Sequence, residues 1–537
     1  MTSPFEEGNP EAPVCILGEA PSRTEVRMNR PFVGPSGQLL DQCLHAAGMI
    51  RRECYITNLF DFQVRRRGDK VVDGSDTLLW QPKGGLTEEG LRAVAPCLER
   101  LTACKSNVIV PLGGVPASVL GADHRITKWR GSILWSDMVE KKFVPTIHPA
   151  ASLHGNYLWR YLIMGDLKRA AEESKFPEVT DLGYNFLIDP SFDEAMAYLT
   201  DILHNIGKVA FDIECTNHQC SCLAFATSRR DAICIPFTDG KDRWTETQEV
   251  QLWELIAQVL EDPSIVKIGQ NMMFDTSFML KQNNILTRNV EDLMVAHHII
   301  WPDFPKGLDF ICSMHTRQPY YKDDGKMWKR LDGDLKRFWR YNATDAVATF
   351  WAWEEIQDDL DKGFRQTYDE TIEMFPPMLY MMQRGICVNM EALAQTKADV
   401  EKRIREKEEE LRSVADYEFN IASPKQCQEY FYVHKGIKPY ISRKTGRPTT
   451  DDKAMSRIVR RFHLPEAKLV QELRALKKLH GTYLEVGVDK DSRVRCSYNP
   501  RGTVTGRLSS SQTIFGTGMN MQNLHPEFKS FLVSDDV

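Results

Sequence analysis

The first ordered pattern in the chain is Val14–Gly18, V-C-I-L-G, an unbroken apolar run of strand length that ends at a glycine. Similar runs follow at Cys54–Leu59, Asn107–Leu112 and Val144–Pro149, separated by helical spacing such as P-S-G-Q-L-L-D-Q-C-L after Gly34. Continuous apolar strands alternating with helical segments predict a parallel α/β sheet covered on both faces. Asn58 and His148 fall at strand ends, and the carboxyl ends of strands are where the chemistry of such sheets collects. This first domain is expected over residues 1–175, and Glu172–Gly183, polar with a proline, reads as a linker.

The next pattern is α/β with a difference. Tyr184–Ile188 predicts a strand and Phe192–Ile206 a helix, and Lys208–Cys215, K-V-A-F-D-I-E-C, predicts a buried strand interrupted by two acids. Asp212 and Glu214 are two residues apart, so both carboxylates project from one strand face. Like charges side by side in a core strand are costly without a cation between them, and hard Mg²⁺ or Mn²⁺ takes such oxygen ligands. Ile265–Ile268 predicts a short strand ending at Gly269, followed by a helical pattern that carries Asp275. In Y-N-A-T-D, Tyr341 and Asp345 are four apart and share a helix face; the apolar run Ala346–Trp353 packs that helix down. Val290–Ile300 reads as an amphipathic helix, with Asp292 as a supporting acid and His297 and His298 as one surface and one core histidine. The domain is expected over 184–365. The four acids Asp212, Glu214, Asp275 and Asp345, with Tyr341, form the set that two-metal phosphodiester hydrolysis requires.

Residues 366–537 change character. Glu391–Val414 is a highly charged helical stretch long enough to span about 35 Å. Composition adds bounds rather than identity. The 537 residues, 42% hydrophobic and 26% charged, suit a globular protein of several domains. No apolar run approaches the roughly 20 residues of a membrane span, and the polar, acidic N-terminus is no signal or transit peptide. Thirteen cysteines without a C-x-x-C fit reduced thiols in the cytoplasm. The net charge of −6 neither advertises nor excludes nucleic-acid binding, which depends on local basic patches.

In order and local context, F-D-I-E, then G-Q-N-x-x-F-D, then Y-x-x-x-D resemble the 3′–5′ proofreading exonuclease of the DEDDy type, which stands ahead of the polymerase in family A DNA polymerases of bacteria and phages. The resemblance implies a ribonuclease H-like domain, a mixed sheet with helices, in which Asp212, Glu214, Asp275 and Asp345 hold two Mg²⁺ or Mn²⁺ ions. Tyr341 orients the attacking water and Asn271 contacts the substrate. Tyr320–Lys329, aromatic and basic, is expected either to hold a frayed 3′ strand or to pack as core.

Four pieces of the first domain resemble the uracil-DNA glycosylase superfamily, its family 4 type most of all: G-E-A-P-x-x-x-E, P-F-V-G-x-S-G-x-L-L, the strand ending I-T-N, and P-T-x-H-P-A. The resemblance implies that Phe32 stacks on a flipped-out base, Asn58 reads the uracil edge and His148 stabilises the departing anion. Glu19 and Glu25 lie in the water-positioning loop. An enzyme acting on a base must extrude it and read its edge, and the developing anion needs a fixed donor. Ser22 stands where the family has glycine. Cys97 matches one ligand of the family's iron–sulfur cluster, but the other thiols are missing, with Phe60-Asp61-Phe62 where one would fall. Four thiolates are the usual requirement, so no cluster is expected. Two readings stay open for the domain: a working glycosylase, or a base reader or clamp gripping DNA through Arg65, Arg66 and Arg67.

Finally, Phe419–Gln426, Lys444–Asp451 and Leu473–Leu484 resemble, in order, the mostly helical thumb of a family A polymerase. Arg501–Ser510 and Asn520–Leu524 resemble the segment facing the primer-template junction, with Arg507, Gln522 and Asn523 as DNA contacts. The palm motifs of that family are not found before Val537, and Asp535 and Asp536 read as loop acids. The expectation is therefore the N-terminal portion of a phage-type family A polymerase, cytoplasmic in a bacterial host. It would act on single-stranded 3′ ends and primer-template DNA, and would not make DNA without a palm–fingers part, which a separate chain could supply.

Overall fold

The structure is a computed structural model that describes residues 6–238, 243–327 and 334–534. Asp535 and Asp536, and the end of the Tyr320–Lys329 segment, lie outside them. The chain divides into two compact units, residues 1–275 with 285–372, and residues 276–284 with 373–537.

The first unit contains two α/β sheets. Strands β1 (Val14–Gly18), β2 (Tyr55–Asn58), β7 (Val108–Pro111), β8 (Leu134–Ser136) and β9 (Lys141–Phe143) order as β2-β1-β7-β9-β8. All pair in parallel except the edge pair β8–β9, which is antiparallel. Alternation along β1 splits its side chains between two cores: Cys15 and Leu17 join one, Val14 and Ile16 the other, as a sheet covered on both faces demands. The basic run Arg65, Arg66 and Arg67 forms strand β3 (Arg65–Arg67), followed by β4 (Lys70–Val72), β5 (Leu78–Gln81) and β6 (Gly85–Leu86) in a small antiparallel sheet. The stretch around Val144–Pro149 makes no strand beyond an isolated bridge from Leu112 to Thr146. His148 caps the short helix Pro149–His154. The expected linker also starts late, because Glu172 and Glu173 close the helix Trp159–Glu173. Glu173 is fully buried in an ion pair with Lys142.

The second sheet orders as β10-β13-β12-β11-β14-β15, from β10 (Asn185–Ile188), β11 (Lys208–Thr216), β12 (Gln219–Ala226), β13 (Asp231–Pro236), β14 (Val266–Gly269) and β15 (Val290–Asp292). It is mixed: β11 runs antiparallel to β12 and parallel to β14. Capping boxes start two of its helices, Ser191 with Glu194 and Thr245 with Gln248, each satisfying two otherwise orphaned backbone donors. The helix Leu335–Asp361, 27 residues long, carries the Y-N-A-T-D motif. Val290–Ile300 is not one amphipathic helix. It is β15 and then the helix Leu293–Ile300, whose residues 293–298 are all buried, and a helix apolar on every side belongs in a core. Both His297 and His298 are therefore interior.

In the second unit, the helix Met390–Val414 bears out the charged helical stretch and packs with Pro465–Lys478. Two single π-helical turns, Glu429–His434 and Leu479–Leu484, continue neighbouring helices. The strands Ser497–Asn499 and Ser509–Ser511 pair as an antiparallel hairpin. No helix among the described residues is long and apolar enough to cross a membrane.

Candidate functional site

Two polar centres lie on the two sheets of the first unit. In the mixed sheet, β11 holds Asp212 opposite Ala224 and Glu214 opposite Cys222, and its register with β12 shifts just after Glu214. Such a bulge re-aims side chains and ends regular pairing beside a site. The long helix Leu335–Asp361 lies over β11 and brings Asp345 to these acids: ligand oxygens of Asp212, Glu214 and Asp345 all lie within 4.8 Å of one another. Asp275, in the first turn of the helix Met272–Asn283, is not in that trio. Its carboxylate accepts the Ile213 N–H at 3.4 Å, between the two strand acids.

Burial, reinforced by the carboxylates of Asp345, Asp275 and Glu214, pushes the Asp212 carboxyl well above its ordinary range, against the pull of Lys322. Burial also raises Asp275. Acids crowded in this way are the chemistry of a divalent-cation site. Burial, and then Asp345, raises Tyr341 as well, so its hydroxyl keeps its proton. The residues fit the metal the motif implies.

Three supports were not read from the sequence. Asn342 donates from Nδ2 to Asp212 Oδ2 at 2.7 Å, fixing that carboxylate. Its only sequence signal is its place beside Tyr341, turned about 100° around the helix. Tyr321 donates its hydroxyl to Asp345 Oδ1, and Lys322 donates from Nζ to Asp345 Oδ2 and to the Tyr341 oxygen. Asp292 supports as expected: its carboxylate accepts N–H groups of Asn271, Met272 and Val295, joining the starts of two helices. Asn271 itself turns the chain there with φ 65°.

The second centre sits at the ends of β1, β2 and β7. Phe32, held at φ 50°, places its ring 6.1 Å from that of His148. Gly18 makes room for this: a Cβ there would stand 2.2 Å from Asn58 Oδ1 and 2.7 Å from Phe32 Cζ. Asn58 is 2% exposed, and among the described residues its side-chain amide has no hydrogen-bond partner. His148 Nδ1 accepts the Ala150 N–H at 3.1 Å, so the neutral ring carries its proton on Nε2. Burial, with Arg66 nearby, lowers its pKa to about 4. Burial raises the Glu19 carboxyl while Arg66 opposes it through an ion pair of 2.5 Å. Glu25 is placed differently from Glu19: its carboxylate accepts the Ser22 N–H in a capping box that starts the helix Arg23–Met28. Cys97 is buried in the core beside Arg100, which pairs with Asp61. Neither of the candidate ligand clusters among the described residues includes a cysteine.

In the second unit, Arg507, Gln522 and Asn523 are all exposed. Gln522 donates from Nε2 to the Leu508 carbonyl at 2.9 Å, which brings it beside Arg507 at the mouth of the hairpin. Asn523 is tied to Tyr483, whose hydroxyl donates to its carbonyl.

Comparison with known proteins gives three family matches: uracil DNA glycosylase superfamily over residues 5–165, 3′-5′ exonuclease over 190–361, and DNA polymerase family A over 390–529. The DNA polymerase of Bacillus phage SP01 is 21% identical across 94% of this chain and 62% of its own length. The type-4 uracil-DNA glycosylase of Sulfurisphaera tokodaii is 31% identical across 33% of this chain and 77% of its own. DNA polymerase I of Rhizobium leguminosarum is 30% identical across 50% of this chain and 27% of its own. The chain thus spans 27% and 62% of the lengths of these two polymerase relatives, less than two thirds of either. Among solved structures, the POL domain of Pol1 from M. smegmatis, in complex with DNA primer-template and dNTP, aligns with TM-score 0.50 and 19% identity over 65% of this chain and 59% of that one. That likeness concerns the fold.

Proposed function

Because the chain belongs to the family A DNA polymerases in their phage-type arrangement, a uracil-DNA glycosylase-like domain ahead of a 3′–5′ exonuclease domain and a polymerase portion, we propose that it removes nucleotides from single-stranded or frayed 3′ ends of DNA. The observation that carries this reading is the convergence of Asp212, Glu214 and Asp345 within 4.8 Å, with Tyr341 one helical turn before Asp345. Asp212, Glu214, Asp275 and Asp345 would hold two Mg²⁺ or Mn²⁺ ions. Bound there, the ions supply an activated water and stabilise the leaving 3′ oxygen. The chain's own residues do the positioning. Asn342 fixes Asp212, Asp275 braces the strand at Ile213, and the protonated Tyr341 hydroxyl orients the water. Asn271 contacts the substrate.

Arg507, Gln522 and Asn523 would face primer-template DNA. Adding a separately expressed palm–fingers chain in a reconstitution assay tests whether this chain also serves as the DNA-gripping half of a polymerase. The test of the main reading is digestion of a single-stranded oligonucleotide by the Asp212→Ala/Asp275→Ala protein. The expected loss is about 10³-fold or more, the several kcal/mol that metal catalysis contributes. Unchanged digestion would end the reading.

A second reading attaches to the N-terminal pocket, on the unpartnered Asn58 amide and the Nε2 proton of His148: recognition of uracil, with its excision decided by the test that follows. Alkali-labile breaks at uracil made by the nuclease-dead protein, and lost in Asn58→Ala and His148→Ala, would establish excision. Their absence would leave a base reader or clamp.

A further inference from the structure

The segment Tyr320–Asp324 touches both α/β domains of the first unit. At its centre Lys322 enters the acid cluster, its ammonium bonded to Asp345 and 3.1 Å from the Tyr341 oxygen. Tyr321 takes the other Asp345 oxygen. Just beyond, Gly325 lies against the Tyr341 ring so closely that a Cβ would come within 2.7 Å of its Cζ. The flanks of the segment grip the glycosylase-like domain. The Tyr320 N–H donates to Ser132 Oγ at 3.1 Å, and the Tyr320 ring packs 5.2 Å from that of Trp129. The Asp323 carboxylate lies 3.5 Å from Lys128 Nζ and 3.6 Å from the Arg125 guanidinium.

We propose that Lys322 is a positioning residue of the exonuclease reaction, delivered to the acid cluster by the glycosylase-like domain, and that it competes with the divalent cation for Asp345. The proposal rests on the exonuclease reading above. A lysine ammonium is a compact point charge with three donors and no acceptor. It can therefore bridge a carboxylate and a phenol oxygen at once, which holds the Tyr341 hydroxyl in one place. The same charge offsets the repulsion among Asp212, Glu214 and Asp345 when no metal is bound, and a cation arriving at Asp345 must displace or share that contact. The two roles give opposite signs on removal: Asp345 is freed for metal, while Tyr341 loses its tether. Damage to the fold would weaken both.

The experiment uses the full chain with Mn²⁺ as probe. Mn²⁺ binding without DNA is read from the loss of the free-ion electron paramagnetic resonance signal. Hydrolysis of a single-stranded oligonucleotide gives kcat and KM. Lys322→Met should bind Mn²⁺ several-fold more tightly while kcat falls about 10- to 100-fold, the scale of a misplaced group, with KM little changed. Lys322→Arg should recover part of kcat. Ser132→Ala, in the other domain, and Asp323→Asn should shift both constants the same way by less. Mn²⁺ affinity that falls together with kcat, or constants within twofold of the parent in Lys322→Met, would overturn the proposal. Parent-level constants in both Ser132→Ala and Asp323→Asn would overturn the part played by the glycosylase-like domain. A parent protein that shows the Lys322-dependent Mn²⁺ shift but no hydrolysis would instead sink the exonuclease reading and leave the competition for Asp345 standing.

Discussion

His148 shows how one backbone contact sets the chemistry of a side chain. With Nδ1 accepting the Ala150 N–H, the neutral ring is a donor at Nε2, and burial keeps it neutral by lowering its pKa to about 4. Its folded value lies below the unfolded value near 6.5. The stability it contributes is therefore complete above about pH 6.5 and is lost as pH falls toward about 4. Thermal unfolding of the parent and of His148→Gln should diverge across that window, the parent losing more on acidification. If the pocket excises uracil, its rate should hold level as pH rises through about 6.5, since the neutral ring is the working form; a rate that falls there would mean the charged ring acts. Asn58 was legible from the sequence as a polar residue at a strand end, whereas His148, expected at another, instead starts a short helix. Lys322 was not legible, because nothing in Y-Y-K-D-D says which acid lies across the fold from it.

At the scale of elements, the pocket depends on β1 ending in a glycine. Gly18 has an ordinary backbone, so what excludes a side chain is the approach of Asn58 and Phe32. Gly18→Ala should cost about 1–3 kcal/mol through overpacking, read as a lower melting temperature, and should abolish base recognition while oligonucleotide digestion persists. Loss of both activities together would show that the two sheets depend on each other more than this local clash implies. The helix at residues 293–300 makes the complementary point. The apolar residues there carry no single stripe, and periodicity alone does not separate a buried strand followed by a buried helix from one amphipathic helix. The boundary is set by Asp292, whose carboxylate caps the Leu293–Ile300 helix while also accepting from Asn271 and Met272.

At the scale of the first unit, a buried ion pair inside the glycosylase-like domain reaches the exonuclease domain through one hydrogen bond. Arg130 and Asp166 are 3% and 1% exposed at their side chains, and Arg130 also donates to Ser313 Oγ of the exonuclease domain at 2.6 Å. Thr146 donates its hydroxyl to the same Asp166. Breaking such a pair from one side leaves an uncompensated buried charge and costs about 3–5 kcal/mol. Arg130→Ala should therefore lower the calorimetric transition of the first unit by many degrees, and Arg130→Ala/Asp166→Ala should recover part of the loss. A single variant with an unshifted transition would show that water reaches this pair.

The sequence by itself determined the chemistry-bearing sets. Buried strands interrupted by acids two apart, a tyrosine and an acid four apart, and polar residues at the ends of apolar runs are local patterns that backbone periodicity turns into shared faces. It also determined the strands β1, β2, β7, β11 and β14 to within a residue or two, because each is an apolar run bounded by polar or turn residues. The tertiary structure decided what depends on residues far apart in the chain: that Asn342 holds Asp212, that Glu25 caps a helix while Glu19 meets Arg66, that Arg65–Arg67 forms the edge of a small antiparallel sheet, and that Lys322 reaches Asp345 from a segment fastened to the other domain. Those contacts are set by packing and charge compensation across the fold, and neither leaves a period in the sequence to read.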